Sequence, residues 1–272
     1  MKVVVFDLDE TLGCFTQLGI FWQSLEHFAK IRQIHLTQQD FDDTLDLFPE
    51  FIRPNIIPIL NYLKTKKQGN MCHKLLIYTN NTGPKEWSQQ IIRFFESKIH
   101  YKLVDQIIAA FKINGKQIEM CRTTYEKTHD DLIRCTKIPT NAEICFIDDA
   151  FYPKMANDNV YYINLKSYFY DLPFDYILQT FEKSDVGQRI AKKADSTWSL
   201  LQTFLEEEIV KYHYVYRKKP EDEYEIDKIL GKHILSHLKI FFEEDATPIT
   251  KKNNKKIAKK FPGGKTRKMH YV

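Results

Sequence analysis

Two pairs of carboxylates, each closing an apolar run, are the residues of this chain best suited to chemistry. Asp7 and Asp9 follow Val3-Val4-Val5-Phe6, and Asp148-Asp149 follow Ile144-Cys145-Phe146-Ile147. An apolar run without alternation is the pattern of a strand buried on both faces. In an open α/β sheet, the carboxyl ends of parallel strands form one edge, and ligands bind there. A carboxylate such as Asp7, first off its strand, can attack phosphorus and form an aspartyl phosphate. Asp9 can protonate the leaving oxygen and then deprotonate the water that releases phosphate. Carboxylates facing a phosphate repel it, so a cation is required, and Mg²⁺ suits an all-oxygen site completed by phosphate and water. A calcium loop fits poorly, because Leu12 stands where that loop needs Gly. The plainer reading is two strands that happen to end in acidic turns. Finding the same ending on two separated strands weighs against it, since a parallel sheet brings both endings to one edge, where they can share one cation.

Other elements must carry the remaining groups to that edge. Residues 74–79 read as a second buried strand, running into Thr79-Asn80-Asn81-Thr82-Gly83-Pro84. A hydroxyl and free backbone amides ahead of a helix with Pro near its start can hold a phosphate, which makes Thr79 and Asn80 candidates. The next helix is expected over 85–99, a third strand over 104–111 and a turn at Asn114-Gly115. Thr128 is a helix N-cap with Asp131 three residues on. Lys127, just before that cap, can project toward the sheet edge, with Lys112, Lys116 and Lys137 as rivals. Residues 159–165 read as a fifth strand. Residues 15–33 carry apolar side chains at helical spacing and either lie over the site as a cap or pack as an ordinary core helix.

The composition is that of a globular protein: 43% hydrophobic and 28% charged residues in a chain of 272, enough for one large domain or a domain with an extension. No run of about 18 apolar residues suggests a membrane span, and Met1-Lys2 leads straight into the first strand, without the look of a secretory signal. The five cysteines are odd in number and form no Cys-x-x-Cys pair, which predicts reduced thiols in a cytosolic or nuclear compartment. The chain carries a net +4, yet Lys251 to Val272 holds nine Lys or Arg and no acid, so the remainder carries −5. A mildly acidic body with a basic tail is expected.

Taken together, Asp7-x-Asp9-x-Thr11, Thr79, Lys127 and Asp148-Asp149 resemble the four motifs of haloacid dehalogenase-superfamily phosphohydrolases, in that family's order. The similarity is greatest to the carboxy-terminal-domain phosphatase branch, also called the nuclear LIM interactor-interacting-factor-like domain. That branch shares Asp-Leu-Asp-Glu-Thr-Leu, an Arg-Pro before the next helix (Arg53-Pro54 here), an Asp-Asp strand end and an Asp-Pro-x-Asp-like turn near Asp171 to Asp175. The resemblance covers roughly residues 1–182. It implies a doubly wound, mainly parallel α/β sheet; residues 14–50, by their place straight after the first strand, are a candidate small cap. It implies Asp7 as nucleophile, Asp9 as acid/base, and Thr79 and Lys127 as phosphoryl ligands. It implies Mg²⁺ held by Asp7, the carbonyl of Asp9 and Asp148, with Asp149 in support. The substrate it implies is a phosphorylated protein; the same chemistry serves a small phosphate ester or a polynucleotide end. The chain departs from the branch at Asn80-Asn81, where Thr is usually followed by Ala or Ser, at Ala150-Phe151-Tyr152-Pro153, where Ser-Pro is usual, and in the long 15–33 helix.

Residues 183–245 read as a two-helix extension. Its first helix carries a stripe from Trp198 to Tyr216, and its second an apolar face through Ile226, Leu230, Ile234 and Phe241. His233 and His237 are four apart but lack the Glu a zinc protease needs. Residues 246–272 read as a basic, disordered tail, suited to nucleic acid, to a nuclear address or to plain solvation. Its Gly263 to Lys268 stretch is similar to tails on proteins of large DNA viruses. The competing functional class is a non-catalytic adaptor that keeps the fold and binds through the extension and tail.

Overall fold

The computed structural model describes residues 1–242 and 269–271. In chain order the elements are β1 (Lys2–Phe6), α1 (Thr16–Ile31), α2 (Gln38–Asp46), α3 (Ile56–Gln68), β2 (Lys74–Tyr78), α4 (Lys85–Ile99), β3 (Gln106–Ile108) and the hairpin β4 (Lys112–Ile113) and β5 (Lys116–Gln117). They continue with α5 (His129–Thr136), β6 (Glu143–Asp148), β7 (Val160–Asn164), α6 (Phe174–Lys183), α7 (Asp185–Lys193), α8 (Trp198–Val210), α9 (Glu221–Phe241) and β8 (Met269–Tyr271).

Five strands form an all-parallel central sheet in the order β3-β2-β1-β6-β7, and β8 joins the β7 edge, also parallel. This is an α/β architecture of the Rossmann-like, doubly wound kind. The chain runs outward from β1 to β2 and β3, then returns to pair β6 on the other side of β1. The order therefore reverses between β1 and β6, and the crevice beyond their carboxyl ends is the topological switch point.

The unbroken apolar runs are explained by the sheet's two covered faces. Val4 and Phe6, Leu75 and Ile77, and Cys145 and Ile147 enter one buried cluster. Their neighbours Val3 and Val5, Leu76 and Tyr78, and Ile144 and Phe146 enter another. The period of two sends alternate residues to opposite faces, and both faces exclude water. The covering layers are unequal. One face is roofed by Leu132 of α5, with Ile138 and Met155. The other carries side chains from α1, α2, α3, α4, α6, α7, α8 and α9, so residues of the helical extension such as Leu201, Leu205 and Ile234 share one cluster with the strands.

Several details differ from the sequence expectation. The extension contains three helices, because Ser184 caps α7 by accepting from Gly187 N and Thr197 caps α8 by accepting from Leu200 N. Helix α9 turns Asp227, Gly231, Ile234, Leu238 and Phe241 inward, and leaves Ile226 exposed. The reason is packing: Asp227 pairs with buried Lys219, and Gly231 lies against the carbonyl of Pro54, where a Cβ would collide. Cys121 and Cys135 are joined in a disulfide, against the expectation of reduced thiols. The loop before α5 folds back along that helix and brings the two Cα atoms to 5.0 Å, a closure that a separation of 14 residues does not announce. Cys14, Cys72 and Cys145 are free and buried. The basic stretch from Lys251 to Lys268 lies outside the described residues, while Met269–Tyr271, expected in the tail, pairs with Tyr162–Asn164 of β7. Among the described residues, no helix is long and apolar enough to cross a membrane.

Candidate active site

The site assembles where β1 and β6 end. Phe6 and Ile147 are register partners, so Asp7 and Asp148 leave the sheet side by side. Their placement follows from parallel pairing: both strands run the same way, and both acidic endings reach one edge. Carboxylate oxygens of Asp7, Asp148 and Asp149 all lie within 4.8 Å of one another. Asp7 and Asp148 are buried.

Beyond Asp7 the chain turns instead of continuing as a strand. Glu10 adopts a left-handed conformation at φ 59°, Leu12 N returns to Leu8 O at 2.9 Å, and Glu10 N bonds Gly13 O at 2.7 Å. Gly13 must be Gly, because a Cβ there would strike Phe51 O and the Phe15 ring. Buried Arg53 fixes this turn from behind. Its Nε donates to Thr11 O at 2.7 Å, and one Nη donates to Glu10 O at 2.6 Å and Lys166 O at 2.8 Å. The turn brings Asp9 to the same cleft as Asp7. The Asp9 carboxylate stands apart from the three-acid group and accepts from Asn81 Nδ2 at 2.8 Å.

Lys127 is the cation among these acids. Its Nζ donates to Asp7 Oδ1, and to Asp148 Oδ2 at 2.7 Å, from a fully enclosed position. The N-cap of α5 holds it there: Thr128 Oγ1 accepts from Asp131 N. Asp131 in turn accepts from Thr123 N at 2.9 Å, which ties the preceding loop to the helix. Buried Arg122 adds a second brace. Its guanidinium donates to the carbonyls of Thr79, Ala109, Tyr125 and Glu126, so it joins the end of β2 to the segment carrying Lys127. Lys112, Lys116 and Lys137, the rivals for this role, are not at the site; the first two lie in the hairpin and Lys137 caps α5 at its far end.

On the β2 side, Thr79 is buried and its Oγ1 accepts from Asn81 N at 3.0 Å. Asn80 is exposed and donates to Tyr152 Oη at 3.1 Å. Asn81, not Asn80, touches a carboxylate of the site. Asp149 accepts from Ser167 Oγ at 2.7 Å and Thr11 Oγ1 at 3.2 Å, and Asp148 accepts from Ala150 N at 2.9 Å. Asn164 donates to both of their backbone carbonyls. These bonds orient the carboxylates from behind and leave them facing the cleft.

Burial pushes the Asp7 carboxyl above the usual carboxylate range, and the Lys127 ammonium opposes that shift. Burial raises Asp148 to about 7, again opposed by Lys127 and reinforced by the Asp7 charge. Burial raises Asp9 to about 6 against the hydrogen bond from Asn81. For Lys127, burial alone would favour the neutral amine, but the charges of Asp7 and Asp148 outweigh it and hold the ammonium well above its ordinary value.

Three carboxylates answered by one ammonium form a set with excess negative charge, made only of hard oxygen donors. Such a set fits Mg²⁺, which binds through one or two carboxylates and completes its shell with phosphate and water. Asp7, Asp9, Thr79, Asn80, Lys127, Asp148 and Asp149, the candidates in the sequence, all line the same cleft of about 690 Å³. Asn81, Arg122, Ser167 and the aromatic side chains Trp87, Tyr212 and Tyr214 belong to the site or its supports without being singled out by the sequence. Buried Arg122 has no local signature in Cys121-Arg122-Thr123-Thr124, and Asn81 is distinguished from Asn80 only by which way the loop turns. Against protein-family models, curated proteins and solved structures, the chain shows no match.

Proposed function

We propose that this protein is a Mg²⁺-dependent phosphoric monoester hydrolase working through an aspartyl phosphate. The observation that carries the reading is the convergence of Asp7, Asp148 and Asp149 within 4.8 Å at the switch point of the sheet, with Lys127 buried among them and Asp9 on the same cleft. Asp7, Asp148 and Asp149 would hold the cation, which supplies charge neutralisation and orientation for the phosphoryl group.

Asp7 Oδ attacks phosphorus as the bond to the leaving oxygen breaks, and the phosphoryl group passes to the carboxylate. Asp9, whose carboxyl is raised to about 6, is protonated far more often than an ordinary aspartate, and in that form gives its proton to the departing oxygen. The Asp9 carboxylate that results takes a proton from water. The water oxygen bonds phosphorus, the phosphorus–Asp7 bond breaks, and free phosphate and the Asp7 carboxylate are restored. Lys127 holds Asp7 and offsets charge on the phosphoryl oxygens. Thr79, braced by Arg122, contributes its hydroxyl and neighbouring amides.

The test is hydrolysis of an aryl phosphate by the full chain, with Mg²⁺ and with EDTA. Turnover that depends on the metal and disappears in Asp7→Asn supports the reading. Wild-type protein that binds Mg²⁺ yet hydrolyses no member of a broad phosphoester panel rejects it.

A further inference from the structure

The outer wall of the cleft comes from a segment the catalytic chemistry does not use. Between α8 and α9, residues 211–220 contain no helix beyond a turn and no strand, yet they are tied down repeatedly. Tyr214 Oη donates to Asp171 Oδ1 at 2.7 Å, and Arg217 N donates to Asp171 Oδ2 at 2.8 Å. Lys219 Nζ donates to Phe169 O at 2.6 Å and pairs with Asp227 at 2.5 Å. Asp171 and Lys219 are buried, so these are internal anchors and not surface pairings. They bring Tyr212 and Tyr214 into the lining of the cleft. Tyr212 is 45% exposed, and its hydroxyl donates to Gln23 Oε1 on α1 at 3.3 Å, linking the strap to the helix that forms the adjoining wall.

The chemistry of that wall is uniform. Phe15, Ile20 and Trp87 line it with Tyr212 and Tyr214, and its polar members, such as Gln23, are uncharged. Among the described residues, Lys127 is the one cationic side chain on the whole cleft, and it lies at the floor, engaged with Asp7 and Asp148. A second phosphate on a substrate would meet no further cation among the described lining residues and would sit near four carboxylates, Asp7, Asp9, Asp148 and Asp149. Like charges at that spacing repel, and the aromatic wall offers nothing to offset the desolvation of another anion. An uncharged leaving group with an apolar or ring surface instead gains contact area there. The cleft of about 690 Å³ is of the size that encloses a small molecule.

We propose that the 211–220 strap and α1 form a leaving-group subsite, and that the substrate is a small phosphate monoester with an uncharged, apolar or aromatic leaving group and a single phosphoryl group. This rests on the phosphomonoesterase reading. Tyr212 and Gln23 are its specificity-determining residues.

The experiment compares substrates of similar alcohol reactivity with the full-length protein and Mg²⁺: 2-phenylethyl phosphate, butane-1,4-diol bisphosphate, a phosphoserine peptide and a 5′-phosphorylated oligonucleotide. We expect kcat/KM for 2-phenylethyl phosphate to exceed each of the others by roughly tenfold or more, the order of an aromatic contact plus an unanswered charge. Tyr212→Ala raises KM for the phenylethyl ester by roughly fivefold, with a smaller change in kcat. Gln23→Arg narrows the gap by improving the bisphosphate. Equal or better turnover of the peptide, the oligonucleotide or the bisphosphate overturns the subsite while leaving the phosphatase reading intact. So does an unchanged preference in both variants. Absence of metal-dependent turnover on every ester, the aryl phosphate included, removes the phosphatase reading and the subsite with it.

Discussion

Of the places where this molecule buries aspartates against cations, the sheet edge and the start of α2 do so in opposite ways. At the sheet edge, Asp7 and Asp148 share the single ammonium of Lys127 with Asp149 close beside them, and burial lifts Asp7 and Asp148 above the usual carboxylate range. At the start of α2, Asp40 is also shielded from water, though less deeply, beneath the partly exposed Arg189 and Lys193, and it is amply answered. Arg189 donates to its Oδ1 at 3.0 Å, Lys193 to its Oδ2 at 3.1 Å, and Thr37 N to its Oδ2 at 2.9 Å in a capping box. Burial alone would raise Asp40, but the Thr37, Lys193 and Arg189 bonds prevail and bring it down to about 2. One cluster is satisfied by its neighbours and ties α2 to α7. The other carries more acid than its own side chains neutralise. Buried charge arranged for stability is paired, whereas charge arranged for chemistry is left able to take up another cation.

The largest effect that follows is on activity. Asp7→Asn should lower turnover of an aryl phosphate by roughly 10³-fold or more, because no other carboxylate stands in its place. The same substitution should not lower the melting temperature of the metal-free protein, since it removes one of several crowded acids. A large loss of stability would make the edge cluster a structural one like that of Asp40.

Lys127→Met leaves buried acids without their cation and should destabilise the fold by about 3–5 kcal/mol, measured by denaturant unfolding. Asp40→Ala should cost about 1–2 kcal/mol, reduced from the full linkage value because water reaches the partly exposed Arg189 and Lys193. Arg189→Ala should cost less than about 1 kcal/mol, since Lys193 and Thr37 remain. If Arg189→Ala were as damaging as Lys127→Met, the contrast between a redundant and a sole cation would fail.

Dependence on pH should separate the two clusters by sign. Asp40 is more acidic folded than unfolded, so its contribution is complete above about pH 4 and is lost as pH falls toward 2. Asp148 is less acidic folded than unfolded. Between pH 4 and about 7 the folded metal-free protein retains a proton that the unfolded chain releases, so this group costs stability as pH rises through that window. The melting temperature of Asp148→Asn should therefore gain on wild type between pH 4 and 7, and Asp40→Asn should lose its deficit between pH 4 and 2. Added Mg²⁺ should raise the wild-type melting temperature near pH 7.5 through binding to the folded state, with a smaller rise in Asp149→Asn. Equal shifts in both proteins would remove Asp149 from the proposed ligand set.

Much of the edge cluster was legible before any coordinates. The runs 3–6, 75–78 and 144–147 gave strands β1, β2 and β6 nearly to the residue, and helix 85–99 matches α4. These elements obey local rules: unbroken apolar runs for doubly buried strands, and apolar spacing near 3.6 for helices. The Thr128 cap was likewise readable, because its hydroxyl and the Asp131 amide are three residues apart. The Asp40 cluster was not. Its cations are about 150 residues away on α7, and nothing at 37–43 signals them.

The sequence by itself determined which segments become buried parallel strands and that two of them end in acids, because strand burial and side-chain period are properties of neighbouring residues. Only the tertiary structure decided that β1 and β6 lie next to each other, that Lys127 rather than Lys112, Lys116 or Lys137 enters the acids, that Asn81 turns inward, and that a distant strap brings Tyr212 and Tyr214 over the cleft. Those outcomes depend on which surfaces meet when the chain collapses. A lysine is buried only where carboxylates already wait for it, and a strap is held only where Asp171 and Asp227 lie ready to anchor it. Such energies belong to pairs of residues far apart in the chain, so no local pattern carries them.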